Sequence, residues 1–222
     1  MSITAKISNI HFYNENLFEL AIDKKLNFIP GQHFSLSIDS IAINREYSSF
    51  SAPGMDNCKF LIRKIKDGIL SQNLSNLEIG NEIIVHGPYG SFRYNEENSF
   101  NKHVFISTGT GIAPFISMIV HFKIDNYLIL NGVREAKDII FFEQLDKSKT
   151  INFVSREDKL IIDKNLQKGR VTDYLTNDLS REIYSKNFNY YLCGNSSMID
   201  DVYDILLERD VDPNKIFVES YF

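Results

Sequence analysis

The sequence predicts two domains of different class: an antiparallel β-barrel over residues 1–97, then an α/β domain with a doubly wound, mainly parallel sheet over residues 98–222. Three observations predict this. Up to residue 94 the chain carries short runs rich in Ile, Phe and Tyr, separated by Pro/Gly/Asn turn clusters. After Asn101 apolar runs alternate with helical stretches, the pattern of a sheet wound through crossover helices. Between the two lies a polar stretch, residues 95–101, that makes a natural boundary.

In the first part, strand-like runs fall at 3–13, 17–22, 33–38, 45–51, 58–65 and 82–86, with one helix-like piece at 70–77. Pro30-Gly31, Pro53-Gly54-Met55-Asp56-Asn57 and Gly87-Pro88-Tyr89-Gly90 punctuate them. Many short strands with regular turns suit a barrel, because closure removes exposed sheet edges. In the second part, strands are expected at 104–107, 127–131, 151–155, 190–193 and 216–218. Helices are expected at 112–122, 136–145, 171–175 and 197–209.

Composition narrows the function classes. The 222 residues are 43% hydrophobic and 24% charged, enough apolar material for two cores. No apolar run approaches the ~20 residues that span a bilayer; the longest is 112–122. Met1-Ser2-Ile3-Thr4-Ala5-Lys6 has no basic region leading into an apolar one, so a cytoplasmic protein is the expectation. The net charge is −5, with 9 basic against 11 acidic residues in 1–99 and 15 against 18 in 100–222. Neither part is basic, which argues against nucleic acid as a partner. Cys58 and Cys193 are far apart and the five histidines share no ligand spacing. Disulfide frameworks, zinc sites and iron–sulfur clusters are therefore not expected.

Several local motifs carry chemistry. Ser107-Thr108-Gly109-Thr110-Gly111-Ile112-Ala113-Pro114 follows an apolar strand and opens a helix. Glycines there let backbone approach a phosphate, and the helix start offers free N–H groups; an ordinary strand-to-helix turn is the alternative. Arg45 and Tyr47, two apart on a strand, share a face and could meet a phosphate and a flat ring, or simply be exposed. Ser71, after Gly68-Ile69-Leu70, either binds a phosphate or caps its helix. Arg134, Arg156 and Arg170 each adjoin the C-terminal end of an expected strand, the edge where open parallel sheets bind ligands. Their guanidinium forks match phosphate oxygens. Cys193, before Gly194-Asn195, reads as a buried small hydrophobe rather than a nucleophile.

Taken in order, Arg45-Glu46-Tyr47-Ser48, Gly68-Ile69-Leu70-Ser71, Gly87-Pro88-Tyr89-Gly90, Gly109-Thr110-Gly111-Ile112-Ala113-Pro114, Cys193-Gly194-Asn195 and Val218-Glu219-Ser220-Tyr221-Phe222 resemble the ferredoxin/flavodoxin–NADP reductase family. The series covers nearly the whole chain. Phe153-Val154-Ser155-Arg156-Glu157 with Gly169-Arg170-Val171-Thr172-Asp173 looks like the second-nucleotide site of its bacterial branch. The resemblance implies an FAD-binding barrel, an NADP(H)-binding α/β domain, and electron exchange between NADPH and ferredoxin or flavodoxin. It implies that Arg45 binds the FAD pyrophosphate, that Tyr47 stacks on the isoalloxazine, and that Ile69, Leu70 and Ser71 hold the diphosphate. Glu46, Leu61, Ile62, Arg63, Thr110 and Phe222 are implied as further FAD contacts. Thr108, Gly109, Val133, Arg134, Ser155, Arg156, Arg170, Asn195 and Asp200 are implied for NADP. Ser48, Cys193 and Glu219 are implied to lie where flavin and nicotinamide react. The family commonly ends in an aromatic pair containing Trp, whereas this chain ends Tyr221-Phe222. Phe can stack but cannot donate a hydrogen bond.

Three rival readings follow from the same residues. One is an NADH-dependent reductase component of an oxygenase system, separated by coenzyme choice. Another is a flavin-carrying electron-transfer subunit that does not itself oxidise NAD(P)H; such a subunit often carries a C-terminal cysteine cluster for an iron–sulfur centre, and this sequence shows none. The third is a non-enzymatic flavin- or nucleotide-binding module, against which the Cys193-Gly194-Asn195 and Glu219 matches weigh. Lys59, Arg63, Lys64 and Lys66 form a basic run that either meets an acidic partner or is a solvated strand edge.

Overall fold

A computed structural model of the protein describes residues 2–96, 101–157, 159, 163–177 and 182–221. Phe222 and the expected boundary at 97/98 lie outside the described residues. The chain forms two compact units: 1–94 with 113–123, and 95–112 with 124–222. Among the described residues no helix is long and apolar enough to cross a membrane.

The first unit is a curled six-stranded antiparallel sheet. Its strands are β1 (Ser2–Asn14), β2 (Leu17–Ile22), β3 (His33–Ile38), β4 (Ile41–Ser48), β5 (Cys58–Arg63) and β6 (Glu82–Tyr89), in the order β4-β3-β6-β1-β2-β5. β1 reaches two neighbours because it is long and bulged: residues 2–6 pair with β6, and residues 7–14 pair with β2. The outer strands β4 and β5 meet at an isolated Ser49–Phe60 bridge. A buried hydroxyl seam reinforces it: Ser49 Oγ lies 2.9 Å from Ser51 Oγ and donates to the Lys59 carbonyl at 3.1 Å, while Ser51 Oγ accepts from the Lys59 N–H at 3.1 Å. Inside pack Phe18, Leu20, Phe34, Leu36, Phe60 and Ile62.

β4 starts four residues earlier than expected. Ile41 and Ile43 alternate with exposed Ala42 and Asn44, a half-buried edge pattern too weak to read before the partner strand is known. Helix α1 (Ile69–Ser75) packs against β3 and β4. Helix α2 (Ala113–Phe122) belongs spatially to this unit although it follows the first strand of the second sheet. Ser117 Oγ donates to the Ser51 carbonyl at 2.8 Å, and Phe115 faces Phe92. At Gly31, with φ +103°, a Cβ would lie 2.5 Å from Met118 Cε and 2.3 Å from the Phe92 carbonyl oxygen.

The second unit is a fully parallel sheet of β7 (Lys102–Thr108), β8 (Tyr127–Val133), β9 (Thr150–Val154), β10 (Leu166–Lys168), β11 (Phe188–Asn195) and β12 (Ile216–Tyr221). The order β10-β9-β8-β7-β11-β12 reverses between β7 and β11, the switch point at which doubly wound sheets open a ligand crevice. Helices α3 (Val171–Thr176) and α4 (Ser196–Glu208) cover one face, where Val104, Ile106, Leu130, Phe153 and Leu192 pack with Val202. The opposite face carries an aromatic row, Phe105, Tyr191 and Phe217, with ring centroids 4.9 Å apart at each step.

The helix expected at 136–145 is absent. A single 3₁₀ turn, Ala136–Asp138, is followed by irregular chain. Ile139-Ile140-Phe141-Phe142 is β-branched and aromatic, types that lose side-chain freedom in a helix. Burial of Phe142 and Leu145 pins the segment instead, while Phe141 stays 62% exposed beside the Lys147 ammonium.

Candidate nucleotide-binding site

In the first unit the candidate residues gather at the β4 edge and the start of α1. Alternation along β4 groups Arg45 with Tyr47 on one face, opposite Leu36 and Phe34 of β3, and groups Glu46 with Ser48 on the other. Arg45 is exposed and, among the described residues, donates from Nη1 to the Asn44 carbonyl at 2.7 Å, a bond that uses one of its five guanidinium donors. Tyr47 is half-buried against the core, and burial pushes its hydroxyl up to about 12, so it is neutral and aromatic in character at ordinary pH. Glu46 is held by His33, Nε2 to Oε2 at 3.5 Å, and Ser48 is buried.

α1 begins at a tight turn. At Gly68 a Cβ would sit 2.8 Å from both Ile65 Cβ and Ser71 Oγ, so only glycine fits. The first-turn N–H groups of Ile69, Leu70 and Ser71 have no carbonyl within the helix to bond. The two readings of Ser71 separate here: its hydroxyl accepts from the Ile65 N–H at 3.0 Å and donates to the Gly68 carbonyl at 3.3 Å. It braces the loop and leaves the backbone N–H as the donor available to a phosphate. On β5, Leu61 and Ile62 are buried, while Arg63 is partly exposed at the strand end. Lys59 does not belong to an open basic patch, because its ammonium lies 2.8 Å from the buried carboxylate of Glu19, which also accepts from the Tyr13 hydroxyl at 3.1 Å.

In the second unit the candidates collect at the C-terminal edge of the parallel strands. Gly109, with φ +57°, adopts a conformation that favours glycine, yet a Cβ there would meet nothing within 4 Å. Gly111 is the reverse: its Cβ would lie 2.3 Å from the Cys193 carbonyl oxygen. The turn Gly109–Ile112 is therefore pressed onto β11 by one glycine and left open by the other. Thr108 Oγ1 accepts from the Asn195 N–H at 3.0 Å, stitching the ends of β7 and β11 together at the switch point. Asn195 caps α4, its Oδ1 accepting from the Ser197 N–H at 3.1 Å, and Asp200 is exposed on that helix.

Arg134, Arg156 and Arg170 follow β8, β9 and β10 and are exposed. Backbone bonds hold them at neighbouring strand ends: Ser155 N–H to the Val133 carbonyl (3.1 Å), Arg156 N–H to the Arg134 carbonyl (2.9 Å) and Gly169 N–H to the Val154 carbonyl (2.9 Å). Among the described residues no carboxylate forms an ion pair with any of the three. Unpaired arginines on neighbouring strand ends of an acidic chain make a site suited to a phosphate dianion.

Cys193 and Glu219 are register partners on β11 and β12, and both face the side of the sheet away from α3 and α4. Cys193 is fully buried, which pushes its thiol well above the usual range; the nearby Glu219 charge adds to this and a Tyr221 hydrogen bond opposes it. The thiol is thus a neutral packing group, as the sequence suggested. The same register level holds residues that the sequence reading missed. Ser107 Oγ donates to Asn131 Oδ1 at 2.9 Å, and Asn131 Nδ2 donates to Asn152 Oδ1 at 3.1 Å, all three side chains buried. The available signal was one polar residue near the end of each of three apolar runs. Its meaning depends on register, which the runs alone do not give.

Both units have counterparts among known proteins. A family model for the oxidoreductase FAD-binding domain matches residues 5–94, and one for the oxidoreductase NAD-binding domain matches residues 105–204. The chain is 29% identical over 216 residues to the 2-halobenzoate 1,2-dioxygenase electron transfer component of Burkholderia cepacia, covering 92% of this chain and 62% of that protein. It is 28% identical over 225 residues to the flavodoxin/ferredoxin–NADP reductase of Buchnera aphidicola subsp. Baizongia pistaciae, covering 93% and 90%. In fold it matches a ferredoxin NADP+ reductase from Neisseria gonorrhoeae solved with bound FAD and NADP, with a TM-score of 0.85 at 22% identity over 100% of this chain and 99% of that one. With a curled antiparallel domain and a parallel-sheet domain matched in order by these two models, the chain belongs to the oxidoreductases that join an FAD-binding domain to an NAD-binding domain.

Proposed function

We propose that the chain is an FAD-dependent NADP(H) oxidoreductase that exchanges electrons with ferredoxin or flavodoxin, residues 1–97 carrying FAD and residues 98–222 carrying NADP(H). The observation that carries the coenzyme choice is the set of three exposed arginines, Arg134, Arg156 and Arg170, at adjacent strand ends and without an ion pair among the described residues. Held by residues 1–97, FAD would supply the capacity to accept a hydride from a nicotinamide and to release electrons singly.

The chain's own residues bind and orient. Arg45 and the first-turn N–H groups of α1 neutralise the FAD pyrophosphate, and Tyr47 offers its ring to the flavin. Open space at Gly109 admits a second nucleotide beside Thr108, Thr110 and Asn195, and Arg156 and Arg170 meet its 2'-phosphate with Ser155 beside them. Ser48, Cys193 and Glu219 act by alignment: no strong base is needed, and a neutral thiol next to a carboxylate excludes water without reacting.

Rapid mixing of the FAD-loaded protein with NADPH and with NADH tests this. Faster flavin bleaching at lower NADPH concentration is expected. A preference for NADH would favour the oxygenase-reductase reading, which the likeness to the dioxygenase component keeps in view.

A further inference from the structure

Glu157 follows Arg156 directly, yet its carboxylate is turned to the neighbouring crossover: Oε1 accepts from the Ala136 N–H at 2.6 Å. The end of β9 is thereby tied to the end of β8 at three successive points. Two are the backbone bonds from Ser155 and Arg156 to the carbonyls of Val133 and Arg134, which any side chain permits. The third depends on Glu157 alone. Ala136 opens the 3₁₀ turn Ala136–Asp138, the only regular structure in the crossover's first stretch, so this bond fixes where the chain leaves β8.

Resting on the NADP(H) reading above, we infer that Glu157 is a positioning residue for coenzyme choice. By clamping the Ala136 N–H it holds the segment after Arg134 against the segment after Arg156, and so sets where Arg156 stands at the sheet edge that receives the 2'-phosphate. The same bond occupies the carboxylate. A carboxylate at the edge of such a sheet ordinarily accepts from free ribose hydroxyls and repels a 2'-phosphate. Here it is spent on a backbone donor and strengthens the opposite preference.

The test is calorimetric binding of 2',5'-ADP and of 5'-ADP to the FAD-loaded protein, in wild type, Glu157→Ala, Glu157→Gln and Ala136→Pro. Proline removes the donor from the other side, and it suits a first helical position preceded by an extended residue such as Glu135 (φ −130°, ψ 152°). Wild type is expected to bind 2',5'-ADP more tightly than 5'-ADP. Glu157→Ala and Ala136→Pro should each weaken 2',5'-ADP by about fivefold to tenfold and change 5'-ADP by less than about twofold. Glu157→Gln should keep the preference, because its amide oxygen accepts the same N–H. Equal losses for both ligands in Glu157→Ala and Ala136→Pro, or an unchanged preference in either, would overturn the clamp while leaving the NADP(H) reading intact. Wild type without a preference would overturn that reading and the clamp with it.

Discussion

The two units meet one requirement, holding phosphate groups, in opposite ways. In the first, the candidate residues are part of the fabric: Tyr47 packs on the core, Ser71 braces its loop and Ser48 is buried. In the second, the arginines stand exposed, without an ion pair among the described residues, at strand ends already fixed by backbone bonds. The difference teaches where stability and binding can be separated. Changes at the arginines should read out binding alone, whereas most changes around β4 and α1 should disturb both; Arg45, exposed on β4, is the exception that tests the rule.

The largest effect is expected at the switch point. Gly111→Ala sets a methyl against the Cys193 carbonyl oxygen and should destabilise by about 3 kcal/mol. Gly109→Ala strains only its own backbone, at about 1–2 kcal/mol. Urea unfolding of the two variants distinguishes them; equal losses would mean that packing at β11 does not govern this turn. Next, Arg45→Ala should lower FAD affinity by about tenfold or more, for the loss of ~1.5–3 kcal/mol of charge-assisted bonding, while leaving urea unfolding of the flavin-free protein unchanged. Flavin content after dialysis measures it, and retention equal to wild type would remove Arg45 from the site.

Arg156→Ala should raise the Michaelis constant for NADPH by about tenfold and hardly move that for NADH. Parallel losses for both coenzymes would make Arg156 structural and erase the contrast between the units. The smallest effect concerns alkali. Burial pushes the Tyr190 hydroxyl up to about 12, above its value in the unfolded chain. Its contribution is therefore complete below about pH 10 and lost as pH rises toward 12. Tyr190→Phe should cost about 1 kcal/mol at pH 8 through the bond to the Ile183 carbonyl, and should then lose less between pH 10 and 12 than wild type. Unfolding free energies at the three pH values decide it.

Much of this was legible in the chain because period-two and strand–helix patterns are local. The arginines, the glycine turn and the Cys193–Glu219 segments all sit at strand ends that such patterns locate. What escaped needed partners from elsewhere in the chain. The Ser107–Asn131–Asn152 row exists only once three strands are in register. Lys59, itself partly exposed, became the partner of the buried Glu19, forty positions earlier. The helix expected at 136–145 failed because tertiary burial of Phe142 and Leu145 outweighed a weak local preference.

The placement of α2 has a consequence for cutting and recombining the gene. The chain leaves the first unit after Tyr94, returns for residues 113–123 and departs again. A single break near 94 would therefore give an amino-terminal fragment lacking the helix whose Ser117 bonds to the Ser51 carbonyl and whose Phe115 faces Phe92. It would strip the surface around Gly31, Ser51 and Phe92, leaving a fragment prone to self-association. Shuffling of the flavin-binding half between relatives should accordingly succeed only when the exchanged piece runs through residue 123, carrying with it the strand and turn that belong to the other half.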